Sequence, residues 1–190
     1  MRKNKKIYEF ISIILSAPFI ALYIILRVFF LYTFSIEQLI LLIIGYVLLP
    51  LFIPLLYSYK KKVEWDYPSR EERIIPFSLV FIGYALTLIA LYLLDTCREG
   101  VFLAMSYTLN GLVSLLISFK YKISIHVIGI MGPATYLLLI GLLKDFLALF
   151  ILSLLVSYSR YILKRHTPMQ LFLGYIESIV ITILAYNITY

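Results

Sequence analysis

The 190-residue sequence contains one cysteine, one tryptophan, two histidines and only ten acidic residues. The single Cys97 excludes an intramolecular disulfide and any cysteine-based metal cluster. So few carboxylates make no cage for calcium or magnesium, and two histidines alone are a poor zinc site. Charge is scarce as well. Charged residues make up 14% of the chain against 63% hydrophobic ones, and the mean hydropathy is +0.98. A water-soluble domain of this length has too little interior for that much apolar surface. The composition therefore predicts an all-α, polytopic transmembrane helix bundle. Repeats, low-complexity segments and a soluble domain are also lacking, so residues 1–190 read as one integral-membrane domain.

The apolar residues fall into lengths suited to a bilayer, where a spanning helix needs about 20 of them. The opening MRKNKK resembles the start of a signal peptide. Its apolar run, however, continues to about Leu31 without an A-x-A-like cleavage site, and it reads as a retained first helix. Seven spans are expected, at 7–31, 36–58, 76–94, 100–118, 125–143, 146–163 and 169–189, with six as the alternative. Ser35 and Gln38 of "SIEQ" have capping-box spacing at the second span. Pro68, Pro76 and Pro168 are expected at or beside helix starts, where proline is tolerated. The boundary at Lys144-Asp145 demands a tight turn.

Alternation of seven spans places 14 of the 17 Lys and Arg residues on the side of the N-terminus; only Arg27, Arg98 and Lys144 fall on the other. The positive-inside rule then makes the N-terminal side cytoplasmic in a multi-pass cell-membrane protein. Setting aside Arg73, Lys122 and Arg160 leaves 11 against 3, and the orientation stands. The net charge of +7 is accounted for in this way, which leaves no basis for a nucleic-acid partner.

Three polar clusters share that side: "DYPSREERIIP" (66–76), "KISIH" (122–126) and "SRYILKRHTPMQ" (159–170). Each lies at a helix end, within reach of both the bilayer surface and the bundle interior. Two histidines among fixed cations suit an anion whose charge changes during a reaction, and a phosphate ester fits. Lys122 and His126 have i,i+4 spacing, as do His166 and Gln170, so each pair is expected on one helix face. Other polar residues have simpler readings. Lys60, Lys61, Lys62, Lys164 and Arg165 suit a basic belt against anionic headgroups. Asp66 is expected to pair with Arg70 or to cap the turn at Pro68, and Arg70, Glu71 and Glu72 form a solvated loop face. Asn110 and Glu177 are expected to form inter-helix hydrogen bonds.

The spacing Ser159-Arg160, five residues, then His166 resembles the third signature, S-R-x5-H-x3-D, of the type 2 phosphatidic acid phosphatase superfamily. "KISIH" is similar to its second signature, P-S-G-H, through Ser124 and His126. Asp66 and Arg73, with six residues between them, lie where the first, K-x6-R-P, would be sought. Asp66 replaces the lysine, Ile74 the proline, Ile123 and Ile125 the proline and glycine beside Ser124, and Gln170 the aspartate. The chain looks more like a divergent branch carrying K-x-S-x-H and R-H-T-x-x-Q. The resemblance covers residues 60–190 approximately. It implies a metal-independent phosphatase, without cofactor, acting on a lipid-linked phosphate or diphosphate such as phosphatidic acid, phosphatidylglycerol phosphate or a polyprenyl diphosphate. It further implies His166 as nucleophile and His126 as acid and base. Arg73, Lys122, Ser124 and Arg160 would hold phosphate, Gln170 would orient His166, and Asp66 and Ser159 would be further site positions. Two other classes compete. One is a membrane protein that binds such lipids without hydrolysing them, favoured by Asp66 and Gln170. The other is a transporter or flippase component, disfavoured by the scarcity of polar residues in mid-span.

Overall fold

The computed structural model describes residues 2–64, 66, 67 and 69–190, with side chains from Lys5 onward. Pro68 and the side chains of Arg2 and Lys3 lie outside the described residues. Among these the chain is helical, without strands: α1 (Arg2–Ile14), α2 (Ala17–Phe29), α3 (Ile36–Ile43), α4 (Leu49–Lys61), α5 (Glu71–Leu93), α6 (Arg98–Ser118), α7 (Ile125–Leu139), α8 (Leu143–Ile162) and α9 (Pro168–Thr189). Among the described residues, six segments are long and apolar enough to cross a membrane: Lys5–Phe29, Ile36–Lys61, and α5, α6, α8 and α9. The protein is an integral-membrane helical bundle.

The first span is not one continuous helix. Pro18 lacks an N–H and its ring clashes with the carbonyl four residues back, so the chain breaks at Leu15 and restarts after Ser16. The second is interrupted by a wide turn over Ile44–Leu48, just ahead of Pro50. Within that turn Tyr46 is fully buried, and its hydroxyl donates towards the carbonyls of Ala104 (3.2 Å) and Tyr84 (3.3 Å). The capping box expected at Ser35 is present. Ser35 N–H donates to Gln38 Oε1 at 2.9 Å, and Gln38 N–H to Ser35 Oγ at 3.2 Å, an arrangement worth about 1 kcal/mol.

Two expected boundaries move. The third span begins at Glu71, so Pro76 lies inside α5 and Arg73 is helical. Ser69 and Glu72 exchange hydrogen bonds of 3.3 and 3.4 Å and anchor this earlier start, which draws Glu71 and Glu72 out of the expected loop into the first turn. Acidic residues there complement the helix dipole. Further on, the break expected at Lys144-Asp145 falls at Ile140–Leu142. Gly141 takes a left-handed φ of 87°, Leu142 N–H reaches the Leu137 carbonyl at 2.8 Å, and Gly141 N–H reaches that of Leu138 at 3.0 Å. This is a Schellman ending, and glycine adopts its backbone angle without strain. Lys144 and Asp145 therefore open α8.

α7 is thereby left with 15 residues, or about 22 Å, short of the roughly 30 Å hydrocarbon core. It survives because it does not face lipid. Ile130, Met131, Ala134, Tyr136 and Leu137 are buried, enclosed by α2, α6, α8 and α9. Gly129 allows the closest approach, since a Cβ there would stand 2.4 Å from that of Ala17 on α2. The short central helix starts inside the bundle and carries its first residues, His126 included, into a protein environment.

Candidate functional site

The segments expected to act together lie far apart in sequence, and the loops between helices bring them to one end of the bundle. α8 ends on a left-handed Lys164 (φ 56°), with Arg165 N–H donating to the Arg160 carbonyl at 3.0 Å. The chain turns sharply and α9 begins at once. Thr167 is its N-cap, Pro168 occupies the first turn, and Thr167 and Gln170 form a reciprocal capping box. His166 sits between the two helix ends and is 6% exposed. It precedes α9, so the helical i,i+4 argument does not apply to it. Its Nδ1 nevertheless meets Gln170 Oε1 at 3.2 Å, because the capping box turns that amide oxygen back over the N-cap. An amide oxygen only accepts, so Nδ1 carries the proton and Nε2 carries the lone pair.

Lys122 likewise lies outside a helix, because α7 starts at Ile125 with Ser124 as N-cap. The shared face expected for Lys122 and His126 is therefore not formed. Lys122 lines a surface hollow with His166 and Gln170, while His126 points elsewhere. Asp66, Arg73, His126, Arg160 and His166 line one cavity of about 460 Å³ that continues among apolar side chains of α2, α4 and α5. Ser124 is fully buried with a hydroxyl that finds no partner, and it lines neither space. Ser159 Oγ turns back to the Leu155 carbonyl at 2.9 Å, so it packs its own helix and does not enter the cavity.

Asp66 departs most from expectation. It pairs with Arg160 (Oδ1 to Nη2, 2.7 Å) and Arg165 (Oδ2 to Nε, 3.1 Å), whereas Arg70 pairs with Glu71 and donates to the Lys120 carbonyl. The cause lies one residue on. Tyr67 is held at a left-handed φ of 42°, rare for a bulky side chain and costing about 1–3 kcal/mol. Its hydroxyl is tied to the Pro54 carbonyl and to Ser58, and its own carbonyl accepts from Arg73 Nη2 at 3.1 Å. This anchoring swings Asp66 towards α8. Arg165, expected in a basic belt against anionic headgroups, is instead tied to Glu64 and Asp66.

Both arginines are fixed by the protein and keep one nitrogen open. Arg73 donates to the carbonyls of Ile123 (3.2 Å) and Tyr67, and lies 5.6 Å from the Phe77 ring centre. Arg160 donates to Ser12 Oγ at 3.1 Å and to Asp66. The Nε of each is buried without a partner, as is His126 Nε2. The backbone of Ser12 hydrogen-bonds His126, so the first helix supports two site residues at once. Sequence reading missed Ser12. A serine in an apolar helix carries no distinguishing pattern, and it lies outside the 60–190 core. Asn110 and Glu177 do bond across helices as expected, to Thr182 (3.1 Å) and Ser114 (3.3 Å).

Burial, followed by the charges of Arg160, Lys122 and Arg73, pushes the His166 pKa down to about 2, so the imidazole is neutral at working pH. Lys122 is also pushed below the usual lysine range, first by burial and then by Arg73. The sign of the His166 shift gives a stability prediction. Below about pH 6.5 the unfolded chain takes up a proton that folded His166 refuses, so stability falls on acidification. The slope from this residue is at most about 1.4 kcal/mol per pH unit. Melting curves between pH 7 and 5 should therefore flatten in His166→Asn; an unchanged slope would show that His166 is free to protonate.

Comparison with protein-family models, with curated proteins and with solved structures finds no match to this chain.

Proposed function

We propose that the protein is a metal-independent phosphatase of a membrane lipid bearing a phosphate or diphosphate. The observation that carries this reading is the convergence of Arg73, Arg160, His126 and His166 on one cavity, with Arg73 Nε, Arg160 Nε and His126 Nε2 buried and unpartnered. Buried donors without partners are costly, and a phosphate oxygen is the acceptor that suits guanidinium best. The lipid reaches the site laterally, since its phosphate already lies at the depth of the helix ends.

In the proposed reaction His166 Nε2 attacks phosphorus while the bond to the leaving oxygen breaks. His126, carrying a proton on Nε2, gives it to that oxygen. Water then attacks the phosphohistidine, loses a proton to His126, and the P–N bond breaks to release phosphate. Arg73 and Arg160 stabilise the equatorial oxygens, and phosphoryl transfer needs little beyond such positioning and charge. Purified protein in detergent with EDTA should release phosphate from at least one of phosphatidic acid, phosphatidylglycerol phosphate and polyprenyl diphosphate. Release only after metal addition would overturn the metal-independent reading.

A second reading, binding without hydrolysis, is favoured by one observation: Asp66 already holds one edge of the Arg160 guanidinium. Under it, vanadate protects Arg160 from chemical modification while no lipid in the panel loses phosphate.

The site is proposed to face the cytoplasm, on the strength of the 14-to-3 division of basic residues. In a Cys97→Ser background, a cysteine at Ser69 should resist an impermeant maleimide in sealed cells, and one at Glu99 should react. The reverse pattern would place the site outside.

A further inference from the structure

The cavity runs from the cations into the middle of the bundle. Arg73 and Tyr84 both line it and stand eleven residues apart on α5, which sets its length at about 16 Å. That is close to one leaflet of a hydrocarbon core about 30 Å thick. Its volume is about 460 Å³. A water molecule takes about 30 Å³ in the liquid and a methylene group is of similar size, so about 15 such groups fill the space. Length and volume agree on one hydrocarbon chain.

The cavity also opens sideways. Ile13, Phe19 and Leu55 line it and are 44%, 46% and 44% exposed. Tyr84 and Tyr107 line its inner end and are buried, so facing the cavity does not by itself produce such exposure. Ile13 and Phe19 flank the break between α1 and α2, and Leu55 belongs to α4. Ile13 is seven residues beyond Lys6 on α1, and Leu55 is five before Lys60 on α4. The opening thus lies about 8–10 Å below those lysines, among lipid chains.

The other end limits the shape of the lipid. Arg73, Arg160 and His166 are buried, so a phosphate held by them lies inside the protein, as do the atoms bonded next to it. In a diacylglycerol phosphate the two chains part at the glycerol, immediately beyond the phosphate. Both would then start inside a space that holds one. We infer that the cavity seats a single hydrocarbon chain, admitted between the first span and α4, and that the substrate is a single-chain lipid phosphate or diphosphate. This rests on the proposed phosphatase reading and narrows it. A prenyl or alkyl chain fits, whereas phosphatidic acid and phosphatidylglycerol phosphate do not.

Dodecyl phosphate carrying a diazirine on its last carbon is the probe, irradiated with the whole chain in detergent. Its label should fall on Tyr84 or Tyr107 and be displaced by unlabelled dodecyl phosphate. Label on exposed residues of α5 outside the cavity, such as Leu79 and Ile82, or label that is not displaced, would overturn the chain site. In mixed micelles at equal mole fraction, kcat/KM for dodecyl phosphate should exceed that for didodecanoyl phosphatidic acid about tenfold or more. Equal values, or a preference for the diacyl lipid, would overturn the single-chain assignment and leave the phosphatase reading standing. Leu55→Trp should raise KM for dodecyl phosphate about tenfold, and Ile82→Trp should leave it unchanged; equal effects would overturn the opening beside α4. Labelling needs no hydrolysis, so label on Tyr84 or Tyr107 without release from any lipid would keep the chain site and overturn the phosphatase reading.

Discussion

Replacing His166 with alanine should reduce lipid phosphate release by about 10³-fold or more, whereas His126→Ala should lose about 10²–10⁴-fold and still acquire a phosphoryl group. The asymmetry follows from the proposed roles. His166 alone bonds to phosphorus, through an Nε2 made available because Gln170 Oε1 faces Nδ1 at 3.2 Å. His126 only moves protons, with Nε2 buried and unpartnered. A substrate with a good leaving group needs no proton in the first step. Such a substrate should leave an acid-labile, base-stable phosphoryl label on His126→Ala and none on His166→Ala. Equal residual activity in the two variants, with no label on either, would remove the two-histidine mechanism.

Asp66→Asn should lower the melting temperature in detergent and, unlike wild type, recover most of the loss when vanadate is added. Asp66 and Arg160 are 9% and 3% exposed at their side chains and lie 2.7 Å apart. Breaking a buried pair on one side leaves an uncompensated charge, at a cost of about 3–5 kcal/mol. The cost falls on Arg160, because Arg165 keeps Glu64 at 2.9 Å as a partner. Vanadate resembles the transferring phosphoryl group and supplies the missing negative charge beside Arg160. The variant should therefore bind it more tightly than wild type, by the linkage between binding and stability. Kinetically, KM for the lipid should fall in the variant if Asp66 competes with the substrate for Arg160. A variant stabilised by vanadate no more than wild type would mean that Arg160 is a structural cation and that phosphate binds elsewhere.

Much of the architecture was legible because the bilayer imposes a simple rule on sequence. Apolar runs of spanning length and the polar breaks between them locate helices whatever their tertiary neighbours, and the Ser35–Gln38 cap followed from local spacing alone. The misplaced boundaries were those set by local chemistry with more than one solution. Pro76 reads as a helix start, yet Ser69 and Glu72 supply an earlier one. Lys144-Asp145 reads as a turn, but Gly141 meets the left-handed angle at lower cost. The fifth expected span, 125–143, looked long enough only because the helix-ending turn at Ile140–Leu142 and the first residue of α8, Leu143, were counted with α7.

The candidate site divides in a similar way. Polar clusters beside apolar spans marked the segments that form it, since polar groups near lipid are costly, and the resemblance of their motifs singled out His166, Arg160, His126 and Arg73 within them. Their assembly in one cavity is a property of the tertiary structure. So are the pairing of Asp66 with Arg160, the placement of Lys122 beside His166 and Gln170, the turn of Ser159 onto its own helix, and the use of Ser12. A sequence records which groups are present and how far apart they lie along the chain. Which of two nearby cations a carboxylate meets depends on a backbone angle at Tyr67 that is strained, and held only by Pro54, Ser58 and Arg73 from other segments. Long-range contacts of that kind leave no local periodicity to read. Transmembrane helix placement was therefore decided by the sequence itself, through the cost of exposing polar backbone to lipid. The orientation of each charged side chain was decided by packing between helices, where a burial cost common to all of them is offset by whichever partner the fold brings within hydrogen-bond reach.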